Sequence, residues 1–269
     1  MVPNDSTSLS TVPPLTKTDQ RDITHLCIET GQRLLQHGAE SALVESMTRR
    51  LGVALGADRA EVALMANAIL VTTHSQQHSY TALKRSDDRG INMHIVTEVQ
   101  RAVLDVEAKT IDGSEFRRRL DSISQWRYPR WLVALAIGIS CACFARLAGA
   151  DAIACALTFC ASTAAMVTRQ WLATYHLNPL VTFFIAAFVA TSIAGQGVIY
   201  RLGHTPKLAM ASCVLLLVPG FPMINSVSDM VKGHINAGVA RGMMAMLLGG
   251  ATSGGILLGM TVWNVWGWL

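Results

Sequence analysis

The sequence predicts a polytopic all-α membrane domain of about five transmembrane helices, preceded by a small α+β domain. Two observations predict it. First, the charges are divided. Residues 1–130 carry 16 Lys+Arg and 16 Asp+Glu, whereas residues 131–269 carry six basic and two acidic residues. A water-soluble domain of that second length would hold far more charge. Second, the charge-poor half consists of apolar runs separated by short polar breaks. A run of roughly 20 apolar residues is what a helix needs to cross hydrocarbon about 30 Å thick. Helix is obligatory there, because hydrocarbon offers no partner to an exposed backbone N–H or C=O.

Taken in order, residues 1–20 are rich in Ser, Thr, Pro and Asp and lack an apolar core. They read as a disordered tail and not as a signal peptide, so insertion is left to internal apolar segments. Residues 21–127 read as a cytoplasmic α+β domain. Residues 20–55 form one or two amphipathic helices, with Leu26, Leu34, Leu35, Leu43, Val44, Met47 and Leu51 on the apolar face and Gly38 as the break or tight-packing point. Glu61–Thr73 reads as a strand ending in ILVTT, with Ser79–Leu83 as its neighbour across a turn. Ile95, Val96, Val99, Ala102, Val103 and Val106 have helical spacing, and a short helix with Phe116, Leu120 and Ile123 leads to Pro129. His94 is placed to cap or start the helix that holds Ile95. His74 and His78 lack supporting Cys or carboxylates, so no metal site is expected, and no nucleotide loop or nucleophile motif points to a cofactor or a catalytic residue. The GxG at Gly195–Gly197 lies inside an apolar run and carries no weight as a dinucleotide motif.

The membrane domain, 128–269, divides into spans near 131–147, 152–168, 180–200, 208–225 and 242–264; four spans are also compatible with the run lengths. Small residues, among them Gly138, Ala142, Ala161, Ala165, Gly195, Gly249 and Gly250, suit close helix packing. The stretch GGATSGG, with Gly249, Gly250, Gly254 and Gly255, reads as a tight crossing, a kink or a hinge. Cys27, Cys141, Cys143, Cys155, Cys160 and Cys213 have neither metal nor disulfide spacing and read as small buried hydrophobes. With the N-terminal domain inside, Arg127, Arg130, Arg169, Lys232 and Arg241 fall on the inner side, against Arg146, Arg201 and Lys207 outside. The triplet Arg117, Arg118 and Arg119 adds to that bias. An odd number of spans puts the C-terminus outside. Trp126, Tyr128 and Trp131 suit one membrane interface, and Trp263, Trp266 and Trp268 the other. The net charge of +4 is no argument for nucleic acid.

Polar groups concentrate in Val218–Arg241, VPGFPMINSVSDMVKGHINAGVAR. Pro219 and Pro222 remove backbone donors and Gly220 permits a bend, so the fourth span should break near membrane depth. Freed carbonyls and half-helix ends of this kind form solute and ion sites in transporters. Asn225, Ser226 and Ser228 offer hydrogen bonds. Asp229 is the only acidic residue after Asp151, fit to carry a proton or to pair with Lys232 or Arg241. Gly233 and Gly238 allow close helix approach. An interfacial turn with an ordinary Asp–Arg pair explains the same residues. Arg169 and Arg201 read equally as topology determinants, Asn178–Pro179 as a helix start, and Asp151 as a loop-end cap.

Several segments together resemble the threonine/serine exporter family, specifically its N-terminal module (DUF1212). They are GQRLLQHGAESALVESMTRRLGVALGA at Gly31–Ala57, Val62–Thr73, Gly90–Arg101, Tyr128–Trp131 and PGFPMINSVSDMVKGHINAGVAR at Pro219–Arg241. The resemblance covers nearly all of residues 20–269. It implies a secondary-type exporter of small carboxylates or amino acids in the inner membrane. Fused members carry a second membrane module, which this chain, ending at Leu269, is expected to lack. Length and arrangement resemble the split form of the family, in which a separate small YjjB-like membrane subunit supplies that module and the pair is linked to succinate export. Threonine/serine export, a non-transporting membrane scaffold or regulatory subunit, and association of the chain with its own copies as a homo-oligomer stand as alternatives. A membrane-bound enzyme is weakly favoured, for want of a catalytic constellation.

Overall fold

The computed structural model describes residues 17–65, 67–76, 78–124, 126–175 and 177–266, so the predicted tail up to residue 16 and Trp268 lie outside the described residues. The chain forms two compact units. One comprises the described residues up to 124 together with Ser228–Gly238; the other comprises Trp126–Val227 and the described residues from Val239 onward.

In the first unit, α1 (Lys17–Gln36) and α2 (Ser41–Ala54) are separated at Gly38, whose φ of 86° is left-handed. The helix begins earlier than the predicted tail allows. Gln20 is buried, and its side-chain amide donates to the carbonyls of Thr73 at 2.9 Å and His78 at 3.0 Å. Three strands follow, β1 (Arg59–Leu64), β2 (Ala68–Ser75) and β3 (His78–Arg85), in an antiparallel meander of order β1-β2-β3. The single strand expected over Glu61–Thr73 is therefore a hairpin. The chain reverses between Leu64 and Ala68, and the Met65 N–H reaches the Ala68 carbonyl at 2.9 Å. A nearly unbroken apolar run, VALMANAILV at 62–71, hid it, since Asn67 is the single polar residue there to mark a turn.

Helix α3 (Met93–Glu107) is capped by Asn92, not His94, and buries all six residues named from its spacing. Helix α4 (Gly113–Ser122) is capped by Asp112, whose carboxylate accepts the Glu115 N–H at 2.8 Å, and it buries Phe116 and Leu120 completely. These helices and one face of the sheet enclose a core of Ile28, Leu34, Val44, Leu51, Ile69, Val71, Val99 and Val103. Burial pushes the Cys27 thiol up to about 12, so it packs as a neutral small hydrophobe. His74 bonds Ser79 at 2.9 Å, and among the described residues no His/Cys/Asp/Glu group could hold a metal ion.

The second unit is built from α5 (Arg130–Leu147), α6 (Ala152–Thr174), α7 (Pro179–Ile199), α8 (Pro206–Cys213), a 3-10 turn (Leu215–Leu217), most of α9 (Gly220–Val231) and most of α10 (Ile235–Val262). Among the described residues four helices, α5, α6, α7 and α10, are long and apolar enough to cross a membrane, and the bent pair Pro206–Leu217 with Gly220–Val231 makes up to five. Three ends differ from the sequence reading. Helix α6 continues past 168, with the Arg169 guanidinium resting 4.6 Å from the Phe183 ring centroid, α9 runs to Val231 and not 225, and α10 starts at Ile235, not 242. Asn178 and Pro179 start α7 as expected, with the Asn178 carboxamide oxygen accepting the Leu180 N–H at 2.9 Å. Asp151 does more than end a loop. It accepts from the Thr205 hydroxyl at 2.6 Å and the His204 N–H at 3.2 Å, and those bonds, the hydroxyl foremost, hold its carboxyl below the usual range.

Small residues set the packing. Ala161, Ala165, Ala186, Ala187, Ala190 and Ala194 are fully buried, and a Cβ on Gly138 would lie 2.1 Å from the Thr163 hydroxyl. Within GGATSGG the two glycine pairs differ. A Cβ on Gly255 would sit 2.2 Å from the Phe184 carbonyl oxygen, and one on Gly254 would touch the Phe184 ring at 3.3 Å, whereas nothing lies within 4 Å of Gly249 or Gly250. Ala142 is half-buried and lines an open apolar groove between α5 and α6. Cys143 and Cys160 are exposed on this unit's apolar surface, correcting the expectation that every cysteine is buried; all six are free thiols. Trp126, Tyr128, Trp131, Trp263 and Trp266 are exposed at helix ends, where an interfacial aromatic belt would place them.

The glycine contrast is testable. Gly255→Ala should destabilise the detergent-purified chain by about 1–3 kcal/mol through overpacking. Gly250→Ala should be neutral or stabilising by up to about 1 kcal/mol, since helix propensity then acts alone. Thermal unfolding of the two variants checks both signs.

Candidate functional site

The predicted break in the fourth span is present. After the 3-10 turn the chain extends at Val218 (φ −68°, ψ 120°), the residue before Pro219, as the proline ring requires. Pro219 and Gly220 then open α9, and the axes on either side are bent by 57°. Pro222 falls in the first turn of α9, where its missing N–H has no intrahelical partner to lose. The Pro219 carbonyl accepts the Met223 N–H at 3.1 Å and starts the new helix.

Along α9 the polar residues divide between the two units. Ser226 is buried, and Gly242 on α10 approaches it so closely that a Cβ there would lie 2.6 Å from the Ser226 hydroxyl. Asn225 is half-buried on the same helix, and Arg241, also half-buried, adjoins Gly242 on α10. Pro219, Gly220, Pro222, Asn225, Ser226 and Arg241 thus all belong to the second unit. Gly242, the contact point, was not singled out from sequence, because a lone glycine at the start of an apolar run carries no distinguishing signal.

The residues that follow, Ser228–Gly238, belong with the first unit. Asp229 is completely buried, and its two carboxylate oxygens accept the backbone N–H of Ser41 at 2.9 Å and the Ser41 hydroxyl at 2.8 Å. Ser41 is the first residue of α2, whose own N-cap residue, Glu40, makes no capping bond with its side chain. Asp229 therefore supplies from a distant segment the acceptor that the helix lacks, and its negative charge lies against the positive helix end. Glu40, freed from capping, accepts from the Ser228 hydroxyl and the Lys232 ammonium. Two positions further on, His234 Nε2 lies 3.4 Å from a Glu45 carboxylate oxygen.

The turn itself is a Schellman motif. The His234 N–H bonds the Asp229 carbonyl at 2.8 Å, the Gly233 N–H bonds the Met230 carbonyl at 3.2 Å, and Gly233 takes φ 90°. Gly233 is thus required for its backbone angle, not for close packing; a Cβ there would meet open space. Gly238 is buried in the first turn of α10. Sequence reasoning found Asp229 and Lys232 but not their partners Ser41 and Glu40, nor the pairing of His234 with Glu45. These lie 188 residues or more away along the chain for the Glu40 and Ser41 bonds, and an acidic residue next to a serine before a helix reads as a local cap.

The profile of the ThrE family, described as "Putative threonine/serine exporter", matches residues 25–263. The chain belongs to this family. It is 49% identical over 255 residues to the Klebsiella aerogenes protein called "Probable succinate transporter subunit YjjP", covering 94% of this chain and 98% of that one. It is also 49% identical over 251 residues to the Escherichia coli K12 protein of the same name, covering 93% and 98%. A Haemophilus influenzae protein, called "Uncharacterized protein", is 34% identical over 285 residues, covering 91% and 94%. No solved structure matches. The chain is accordingly a multi-pass membrane protein of a transporter family, and the match takes in the α2 end, the broken span and the turn alike.

Removing the remote cap should be costly. Asp229→Ala leaves the Ser41 N–H and hydroxyl buried without their acceptor, and should lower stability by about 1–3 kcal/mol. The expected readout is a lower unfolding temperature with new protease cleavage near residues 37–41, against wild-type behaviour for a surface control such as Asp88→Ala.

Proposed function

We propose that this chain is one subunit of a secondary-type exporter of small carboxylates, of which succinate is the leading candidate, in the bacterial inner membrane. The supporting observation is the near end-to-end similarity to relatives called succinate transporter subunits, at 49% identity with 98% of their length covered. The geometry suits the task. A span broken at Pro219–Gly220–Pro222 leaves half-helix ends and backbone carbonyls near membrane depth, where a solute path needs polar groups. Asn225 and Ser226 line that path, and Arg241 draws in a carboxylate. Asp229 and Lys232, which a sequence reading assigns to proton coupling or charge balance, also hold the turn through Ser41 and Glu40. Gly233 shapes the turn. Gly238, Gly254 and Gly255 seat α10, and Gly249 and Gly250 leave it a smooth face for lipid, a second copy or another membrane subunit. A separate small YjjB-like membrane protein is the partner, and no cofactor is used.

We infer the membrane topology from parity. Residues 228–238 pack with the N-terminal residues in one unit, so the chain between 126 and 228 crosses the bilayer an even number of times. Helices α5, α6 and α7 supply three crossings, so the bent pair is the fourth and α10 the fifth. With the first unit cytoplasmic, the C-terminus is periplasmic. A reporter fused after residue 269 and active only in the periplasm checks this, and activity only in the cytoplasm would overturn it.

The family description favours threonine or serine as an alternative substrate. Preloaded proteoliposomes carrying this chain, the partner, or both separate the readings. Efflux of succinate, but not of threonine or serine, is expected only when both proteins are present. Equal succinate retention in every preparation would reject carboxylate export.

A further inference from the structure

We propose that the N-terminal end of α2 sets the position of the broken span, with Ser41 and Glu40 as positioning residues for transport. The proposal rests on the exporter reading, and it concerns how that membrane path is held.

Three contacts define the clamp, and all lie within the first unit. Ser41 offers two donors to the two oxygens of Asp229, which fixes the carboxylate's orientation as well as its distance. Glu40 bridges Ser228 and Lys232, and Glu45 stands opposite His234. Ser228, on α9, and Lys232, just past its end, are four residues apart and both bond Glu40, with Asp229 beside Ser228. Val227 and Val231, by contrast, are 57% and 81% exposed, so the polar face turns to α2 and the apolar face away from it.

The charge census strengthens the case. Beyond residue 130 the chain has eight charged residues, and two of them, Asp229 and Lys232, are both taken by a single turn of α2. Neither is required at that place for a helix simply to reach the membrane surface. Their partners, moreover, meet at a helix end that has no cap of its own. From this clamp α9 runs 12 residues back to the proline break. At about 1.5 Å per residue that is a rod of about 18 Å. In this proposal a shift of the clamped end is passed along α9 to Pro219.

Charge exchange tests this in the full chain reconstituted with its membrane partner. Glu40→Lys and Lys232→Glu should each reduce efflux per monodisperse molecule roughly tenfold, the scale of an ordinary coupling energy. The double variant, with the charges swapped, should recover most of it. Amide hydrogen exchange at residues 37–41 and 229–234 should rise in each single variant and fall back in the double. A purely stabilising clamp would lower the unfolding temperature and leave efflux per folded molecule unchanged; that result, or failure of the double to recover, would overturn the proposal. Were no solute moved even by wild type, the exporter reading would fall. The exchange data would still decide the clamp, since unaltered exchange in both single variants refutes it.

Discussion

Every backbone amide from Arg130 to Val262 must find its partner within the chain wherever hydrocarbon surrounds it, because lipid tails supply none. That requirement makes the segments helical. It confines Asp151 to a loop where Thr205 and His204 satisfy it, and lets α6 keep Arg169 only against the Phe183 ring. It also makes the fourth span the informative one. There the chain gives up helical bonding between Leu217 and Gly220, and an extended Val218 and two prolines stand where a continuous helix would otherwise run. A break of this kind is tolerated only beside protein or water, which is the environment a solute path requires.

Much of this was legible in the sequence, and the legible parts share a cause. Helical periodicity exposed α3 through six buried positions, and Phe116 and Leu120 marked α4, because each helix meets one continuous core. Pro219, Gly220 and Pro222 announced the break through covalent geometry alone, since a proline ring acts the same way in any environment. The β1–β2 hairpin was missed because a nearly continuous apolar run passes through the turn between two strands of similar composition. The partners of Asp229 were missed for a different reason. An Asp–Lys pair three residues apart has a ready local explanation, and nothing in a linear reading says that Ser41 and Glu40 compete for both.

The glycines show where sequence pattern stops short of packing. Gly249, Gly250, Gly254 and Gly255 are indistinguishable by type and spacing. Only the last two are pressed against Phe184, while the first two face open space. Helix α10 is therefore fastened along one part of its length by backbone contact and left smooth along another. A helix held in that way can change its inclination about the fastened part at little cost in side-chain packing.

The two ends of the fourth and fifth spans are then held by different physics. Near Gly255 the fastening is van der Waals contact between small residues, which tolerates sliding. At the Ser228–His234 turn it is a set of directional, charge-assisted bonds, which fix orientation and break over a few tenths of an ångström. In the arrangement proposed above, an element with one compliant end and one directional end pivots at the first and is steered at the second. Steering from the α2 side would then account for Asp229 and Lys232 standing in a turn of so charge-poor a membrane half.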